Sequence, residues 1–418
     1  MARRYMAMVK NKRHIGIGFA TGRKSFLNVL RAYIFHLSES NFLAKNNLVL
    51  SLFVAYDTKY NNTCRGDYDN LTDDEKSIFY SCHFIGPDDI TNEIESLLNQ
   101  GIVELKDAEF CFGSGYAVQR NIIQYYALKN KVDYLIFMDD DEYPLAVTKS
   151  QDTCLWSGQH VLEEHVKYLQ FSDFTNGYHC GYISPMPSIE FDGILEESTF
   201  KNFTDALSSD VLKWDYVKQT ILMGGVTYAD KNVLMEHKAQ PIVEINGAKP
   251  ISGGNLGINL TDARRTLPFF NPPGARGEDS FLSTCIVDRN VKAIPVYTFH
   301  DGFGFYSSLL RGVLPLELKK ISLYDSAAVI ERFYKACIGW IRYKPLYTYL
   351  TQRESYRDII DCAKSNLEAS IEPVCAYFNN WNFTDVLEEL NAYDKCVGEH
   401  YEKFCRSNEV WRKIFERM

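Results

Sequence analysis

VDYLIFMDDDEYP, residues 132–144, decides the reading of this chain: an apolar run stops abruptly at Asp139, Asp140, Asp141 and Glu142. Like charges crowded this closely repel one another and resist full ionisation. A solvated acidic turn at a strand end is the plain explanation. A site that needs concentrated negative charge is the other, and the flanking sequence favours it.

Upstream, strand and helix signals alternate. HIGIGFA (14–20) reads as a buried strand, and SFLNVLRAYIFHL (25–37) places apolar residues at helical spacing. NLVLSLFVAYDT (47–58) is a second strand ending at Asp57, and a polar loop follows from Asn61 to Lys76. CHFIG (82–86) is a short strand, DDITNEIESLLNQG (88–101) a helix with a Gly stop, and SGYAVQRNIIQYYALKN (114–130) another helix. The stretch 132–139 is then a strand running into the acids. This rhythm predicts an α/β fold, a mostly parallel sheet covered by helices on both faces. Ligands of such sheets bind beyond the carboxyl ends of the strands, and the cluster sits at one.

Downstream, residues 150–250 mix a helix in GQHVLEEHVKYLQ (158–170) with strands in CGYISPMPSIEF (180–191) and GGVTYA (224–229). ISGGNLGINL (251–260) reads as a strand broken by Gly253 and Gly254. FFNPPGARGEDSFLSTCIVD (269–288) runs from a Pro/Gly loop into a helix, and VKAIPVYTFHDGF (291–303) is a strand ending at His300. From about residue 320 the pattern is helical, with a D-x-x-E capping box expected at Asp385 and Glu388. A boundary near residue 315 divides an α/β unit, 1–315, from a helical region, 316–418. That region could form an oligomer interface, an acceptor platform or a membrane-surface patch, but apolar helical stripes are more often core than interface, and no specific function is assigned to it.

The 418 residues, 46% hydrophobic and 14% aromatic, can fill a substantial core, the opposite of a disordered composition. The net charge of -9 argues against nucleic acid as a partner. The first 24 residues nonetheless carry many Lys and Arg and no acid, which reads as a solvated basic arm or a contact for a membrane surface. Eleven Cys without a CxxC pair suggest mostly buried thiols in a reducing compartment rather than a zinc site. With no signal-peptide core at the start, the expectation is a cytoplasmic protein, peripheral at the inner membrane face if the basic arm binds there. A secreted or lumenal domain cut from its anchor is the alternative.

Spacing separates the motifs that share this acidic look. A calcium loop starting at Asp139 would place Tyr143 and Pro144 where an oxygen ligand and a Gly belong. A P-loop partner is approximated by GIGFATGRKS, but five residues separate Gly16 from Gly22, and Arg23 stands where Lys is required. A dinucleotide fingerprint fails by one residue at its third Gly and leaves the acids unexplained. What remains is a hard divalent cation, Mg2+ or Mn2+, shared between carboxylates and a nucleotide diphosphate. In an extended chain Asp139 and Asp141 would point to one side and Asp140 to the other.

At this point the sequence resembles the GT-A fold of nucleotide-sugar glycosyltransferases, especially the large family-2-like group, over roughly residues 13–305. SGYAVQRNIIQYYALKNKVDYLIFMDDDEYP is similar to that family's helix leading into its D-x-D strand. ISGGNLGINL is similar to its glycine-bearing strand under the acceptor, RGEDSFL to its E-D motif, and His300 in FHD to its late metal-site histidine. The polar insert after Asp57 departs from the minimal pattern. The absence of Q-x-x-R-W argues against a processive synthase coupled to a membrane channel.

The resemblance implies a GT-A domain that moves a sugar from a nucleoside diphosphate sugar, UDP-sugar favoured, to a hydroxyl of a glycan, lipid-linked or protein acceptor. It implies Asp139, Asp141 and His300 at Mn2+ or Mg2+, with Asp139 also contacting the nucleotide and Asp140 touching sugar or ribose. Asp279 would be general base for an inverting displacement and Glu278 its orienting partner, although both also suit a helix N-terminus as simple caps. Phe19, Ala20, Thr21 and Asp57 would line base and ribose, Arg23 would meet phosphate, and Arg120 and Asn121 would face the nucleotide. Gly253, Gly254 and Asn255 would let the acceptor approach the backbone. Two other functions compete: a sugar nucleotidyltransferase, and a non-catalytic carbohydrate-binding protein on a degenerate transferase fold.

Overall fold

The computed structural model describes residues 12–59, 61–113, 115–209, 213–306, 309–323 and 327–416. Residues 1–11 of the basic arm therefore lie outside the described residues. Eleven strands are described. They are β1 (Arg13–Thr21), β2 (Leu48–Tyr56), β3 (Ser81–Ile85), β4 (Tyr134–Met138), β5 (Glu142–Tyr143), β6 (Leu145–Ser150), β7 (Thr153–Gly158), β8 (Phe174–Gly181), β9 (Gln240–Pro241), β10 (Leu256–Asn259) and β11 (Val291–His300).

The central sheet has the order β3-β2-β1-β4-β10-β8-β11-β5, with β9 on the side of β11. It is mixed rather than mostly parallel. β3, β2, β1 and β4 pair in parallel, β10 inserts antiparallel between β4 and β8, and β11 lies parallel to β8. The expected alternation of strand and helix holds up to β4. The reversal comes from β10, which enters the sheet at the edge where β4 leaves it.

Strand periodicity sets the layers. Ile15, Ile17 and Phe19 of β1 and Tyr134, Ile136 and Met138 of β4 bury into one apolar cluster, joined by Phe26, Leu30, Tyr33 and Leu37 of the helix Phe26–Ser40. Leu135 and Phe137 point to the opposite face, against Ile122 and Ile123 of the helix Tyr116–Lys129. Each such side chain contributes roughly 1.5–3 kcal/mol on full burial. A Cβ on Gly18 would lie 2.6 Å from Ile123 Cγ2, so that glycine serves close helix–sheet packing.

The C-terminal helices are bound into this body. Ala327–Thr351, Tyr356–Phe378 and Asp385–Lys395 share one cluster with Phe200 and Phe203 of the helix Glu197–Leu207. The last helix, Val397–Glu416, inserts Val410, Trp411 and Ile414 into the cluster beneath Phe137 and Phe269.

Several local expectations change. CGYISPMPSIEF is not a strand; β8 ends at Gly181, and Pro185 and Pro187 follow in irregular chain. GGVTYA forms only a bridge from Thr227 to Gly181, after Gly224 and Gly225 take positive φ of 76° and 81°. β6 and β7 form a hairpin that the sequence reading did not separate. Asp385 is no cap: Thr384 precedes the helix in αR conformation without a side-chain cap, and Asp385 Oδ2 accepts from the Tyr334 hydroxyl at 2.6 Å. All eleven cysteines are free, but only five are buried. Among the described residues no helix is long and apolar enough to cross a membrane.

Candidate active site

The strand directions bring the functional candidates to one edge. The carboxyl ends of β1, β4, β8 and β11 meet there with the amino-terminal entry to β10. Strand order also reverses at that edge, between β1 and β4, where open α/β sheets form a crevice.

The acidic run turns as soon as it leaves β4, and Glu142 N–H donates to Asp139 O at 3.3 Å. The turn breaks the alternation expected of an extended chain. Asp139 goes one way, and Asp140 and Asp141 share the other.

On that second side, Arg23 bridges two carboxylates, with Nη1 3.2 Å from Asp140 Oδ1 and in contact with Asp141 Oδ2. Thr21 Oγ1 donates to Asp140 Oδ2 at 2.7 Å. Burial raises Asp140 to about 7, against the opposing pull of Arg23. Asp141 Oδ1 lies 3.2 Å from His300 Nε2. Burial works against the charge of Asp141 too, but His300 and then Arg23 outweigh it and lower its pKa. His300 Nδ1 donates to Tyr182 O at 2.6 Å, which fixes the ring and leaves Nε2 toward Asp141.

On the first side, Arg120 is an almost buried hub. It donates to Asp139 Oδ1 at 2.7 Å, to Gly253 O at 2.7 Å and to Glu278 Oε1 at 3.4 Å. Asp279 completes the wall: Oδ2 accepts from Gly253 N–H at 2.8 Å and Oδ1 from Ser280 N–H at 2.9 Å. The chain at Gly254 passes so close that a Cβ there would lie 2.7 Å from Glu142 Oε1 and 2.9 Å from Asp139 Oδ2. Only glycine leaves those carboxylates in place.

Three residues in the site were not assigned from the sequence. Glu142 is fully buried, and its Oε1 lies 2.8 Å from His179 Nδ1. Burial opposes both charges, yet the pairing raises the His179 pKa and lowers that of Glu142. His179 Nε2 is buried without a hydrogen-bond partner. Asp301 accepts from Phe305 N–H and Tyr306 N–H, each at 2.9 Å, and so folds the loop after His300; burial raises it to about 6. Asp301 stands beside the quoted His300. Glu142 belongs to the acidic run itself, whereas His179, far away in the chain, carries no spacing signal that would join it to Glu142.

Other candidates face elsewhere. Asn121 is buried and grips the Phe269 backbone, its Oδ1 accepting at 2.7 Å and its Nδ2 donating at 2.9 Å. Asn255 turns inward, donating to Tyr178 O at 3.1 Å, while its Oδ1 lies 2.9 Å from Nε2 of a His165 that burial pushes down to about 4. Both therefore hold backbone rather than reach the crevice. Phe19 packs on Phe26 and Tyr33, and Ala20 is buried against the opposite face. Asp57 lies beside Thr21, its N–H donating to Thr21 O at 2.9 Å, with its side chain on Lys59 N–H.

Of the expected metal trio, Asp141 and His300 stand together; Asp139 Oδ1 accepts from Arg120, and Asp141 Oδ2 meets Arg23. Among the described residues no group of three or more His, Cys, Asp or Glu stands arranged for a metal ion. The pair keeps suitable donor chemistry: one carboxylate and one imidazole nitrogen whose ring partner is already committed to a carbonyl.

No family model matches the chain, and no curated protein matches its sequence.

Proposed function

We propose that this protein is a GT-A glycosyltransferase that moves a sugar from a nucleoside diphosphate sugar, UDP-sugar preferred, to an acceptor hydroxyl. One observation carries the reading: at the strand ends beside the strand-order reversal, Asp141 meets His300 at the end of β11, and Arg120 links Asp139 to Glu278 at a helix start. Asp141 and His300 Nε2 would hold Mn2+ or Mg2+. When bound, that ion neutralises charge on the departing diphosphate.

The remaining roles belong to the chain. Arg23, 32% exposed at its side chain, can turn from the carboxylates to a phosphate without leaving the crevice. Asp279, held by two backbone N–H groups, is the base that takes the acceptor hydroxyl proton as its oxygen attacks the anomeric carbon and the sugar–phosphate bond breaks. Arg120 holds Glu278 and the Gly253 carbonyl in place, so it fixes the wall on which the acceptor would lie. A single displacement of this kind inverts the anomeric centre.

A panel of UDP- and GDP-sugars with Mn2+, Mg2+ or chelator tests this, with released nucleoside diphosphate as the readout. Metal-dependent release from at least one donor is expected. Pyrophosphate formed instead from a nucleoside triphosphate and a sugar phosphate would make the protein a nucleotidyltransferase. Neither product nor a thermal shift with any donor would remove the reading.

A further inference from the structure

We infer that the segment from Arg311 to Lys320, with the end of the β6–β7 hairpin beside it, is a docking surface for an anionic lipid bilayer. Val313, Leu314 and Leu316 are all exposed, Leu316 at 72%. Leu316 O accepts from Cys154 N–H at 2.7 Å, which sets Leu155 of β7, also exposed, next to it. Trp156 Nε1 donates to Pro315 O at 2.8 Å and fixes the segment on the hairpin. At the other end Ile321 N–H donates to Gly224 O at 2.8 Å, so the exposed Leu222 and Met223 flank the same strip. Isolated exposed apolar side chains need no explanation, but a run joined by backbone hydrogen bonds does.

Charge chooses the occupant. Arg311, Lys319 and Lys320 are exposed on the segment, and Lys149 of β6 stands in register with Cys154. Within residues 311–320 and 149–155 the acids are Glu317 and Asp152, against Arg311, Lys319, Lys320 and Lys149, so these segments are net positive on a chain of net charge -9. Protein interface cores are depleted in Lys, whereas apolar side chains ringed by Lys and Arg suit the boundary between anionic headgroups and acyl chains. The strip is also tied to the candidate site. Lys319 N–H donates to Tyr306 Oη at 2.8 Å, Tyr182 Oη donates to Lys319 O at 2.7 Å, and Tyr182 O holds His300.

The test is co-sedimentation of the full chain with phosphatidylcholine vesicles, with and without phosphatidylglycerol. Binding is expected only to the anionic vesicles. Leu314→Glu with Leu316→Glu should abolish it, and Lys319→Gln with Lys320→Gln should weaken it about 30-fold, both with unchanged near-ultraviolet circular dichroism. No binding, equal binding to neutral vesicles, or a wild-type oligomer that the Leu→Glu pair turns into monomer would each overturn the inference. Sugar transfer plays no part in this measurement, so its outcome stands apart from that of the donor panel.

Discussion

Replacing Arg120 with Met keeps most of the side-chain volume and removes the charge from the hub. The guanidinium is only 5% exposed at its side chain and serves three acceptors: Asp139, Glu278 and Gly253 O. Breaking a buried pair by deleting one partner costs roughly 3–5 kcal/mol, because the other charge stays behind. Here the lower end applies. The Asp139 side chain is 36% accessible and can rehydrate, whereas Glu278, at 16%, and the Gly253 carbonyl cannot do so freely. The expected loss is therefore about 3 kcal/mol, read by urea unfolding. The loss should persist at high salt, since a buried contact is poorly screened. Arg120→Lys should recover only part of it, because one ammonium cannot match the guanidinium fork. A methionine variant as stable as the parent, or one whose deficit disappears in salt, would refute the claim that Arg120 fixes this wall.

Further outcomes follow from the same contacts. Asp140, raised to about 7, binds its proton in the folded state before it does so unfolded; its contribution to stability therefore falls as pH rises from about 4 to about 7. Asp140→Asn should remove that slope, and urea midpoints of the two proteins should converge at acid pH and separate at neutral pH in favour of Asn. Asp279→Asn keeps an oxygen for the Gly253 amide but removes the proposed base, so kcat should drop about 10²–10⁴-fold with donor affinity retained. Asn255→Ala leaves His165 Nε2 and Tyr178 O without their partner and should cost about 1–3 kcal/mol in thermal or urea unfolding.

The central strands were legible because RHIGIGFAT and YLIFM are apolar runs that end at polar residues, and burial on both faces needs just that composition. The hairpin of β6 and β7 was harder. LAVTKS passes from three apolar residues to three polar ones and TCLWSG holds its apolar residues in one block, so neither shows strand alternation, and the turn at Gln151 uses a positive φ of 53° without glycine. The antiparallel entry of β10 could not be read, since direction depends on the path of the long segment before it. In the site, motif order singled out Asp141, His300 and Asp279 as candidates. The side each acid faces was not readable, because the alternation rule assumes an extended chain and the acids turn, which puts Asp141 with Asp140 on Arg23. Asn121 and Asn255 carry the right residue type, but tertiary contacts consume their hydrogen bonds.

Equilibrium binding of UDP, with and without Mn2+, tests the central claim most directly when wild type is compared with Asp141→Asn and His300→Ala. The account predicts Mn2+-dependent binding that both substitutions abolish while each variant keeps its native circular dichroism. UDP binding that ignores Mn2+, or that survives both substitutions, would contradict it.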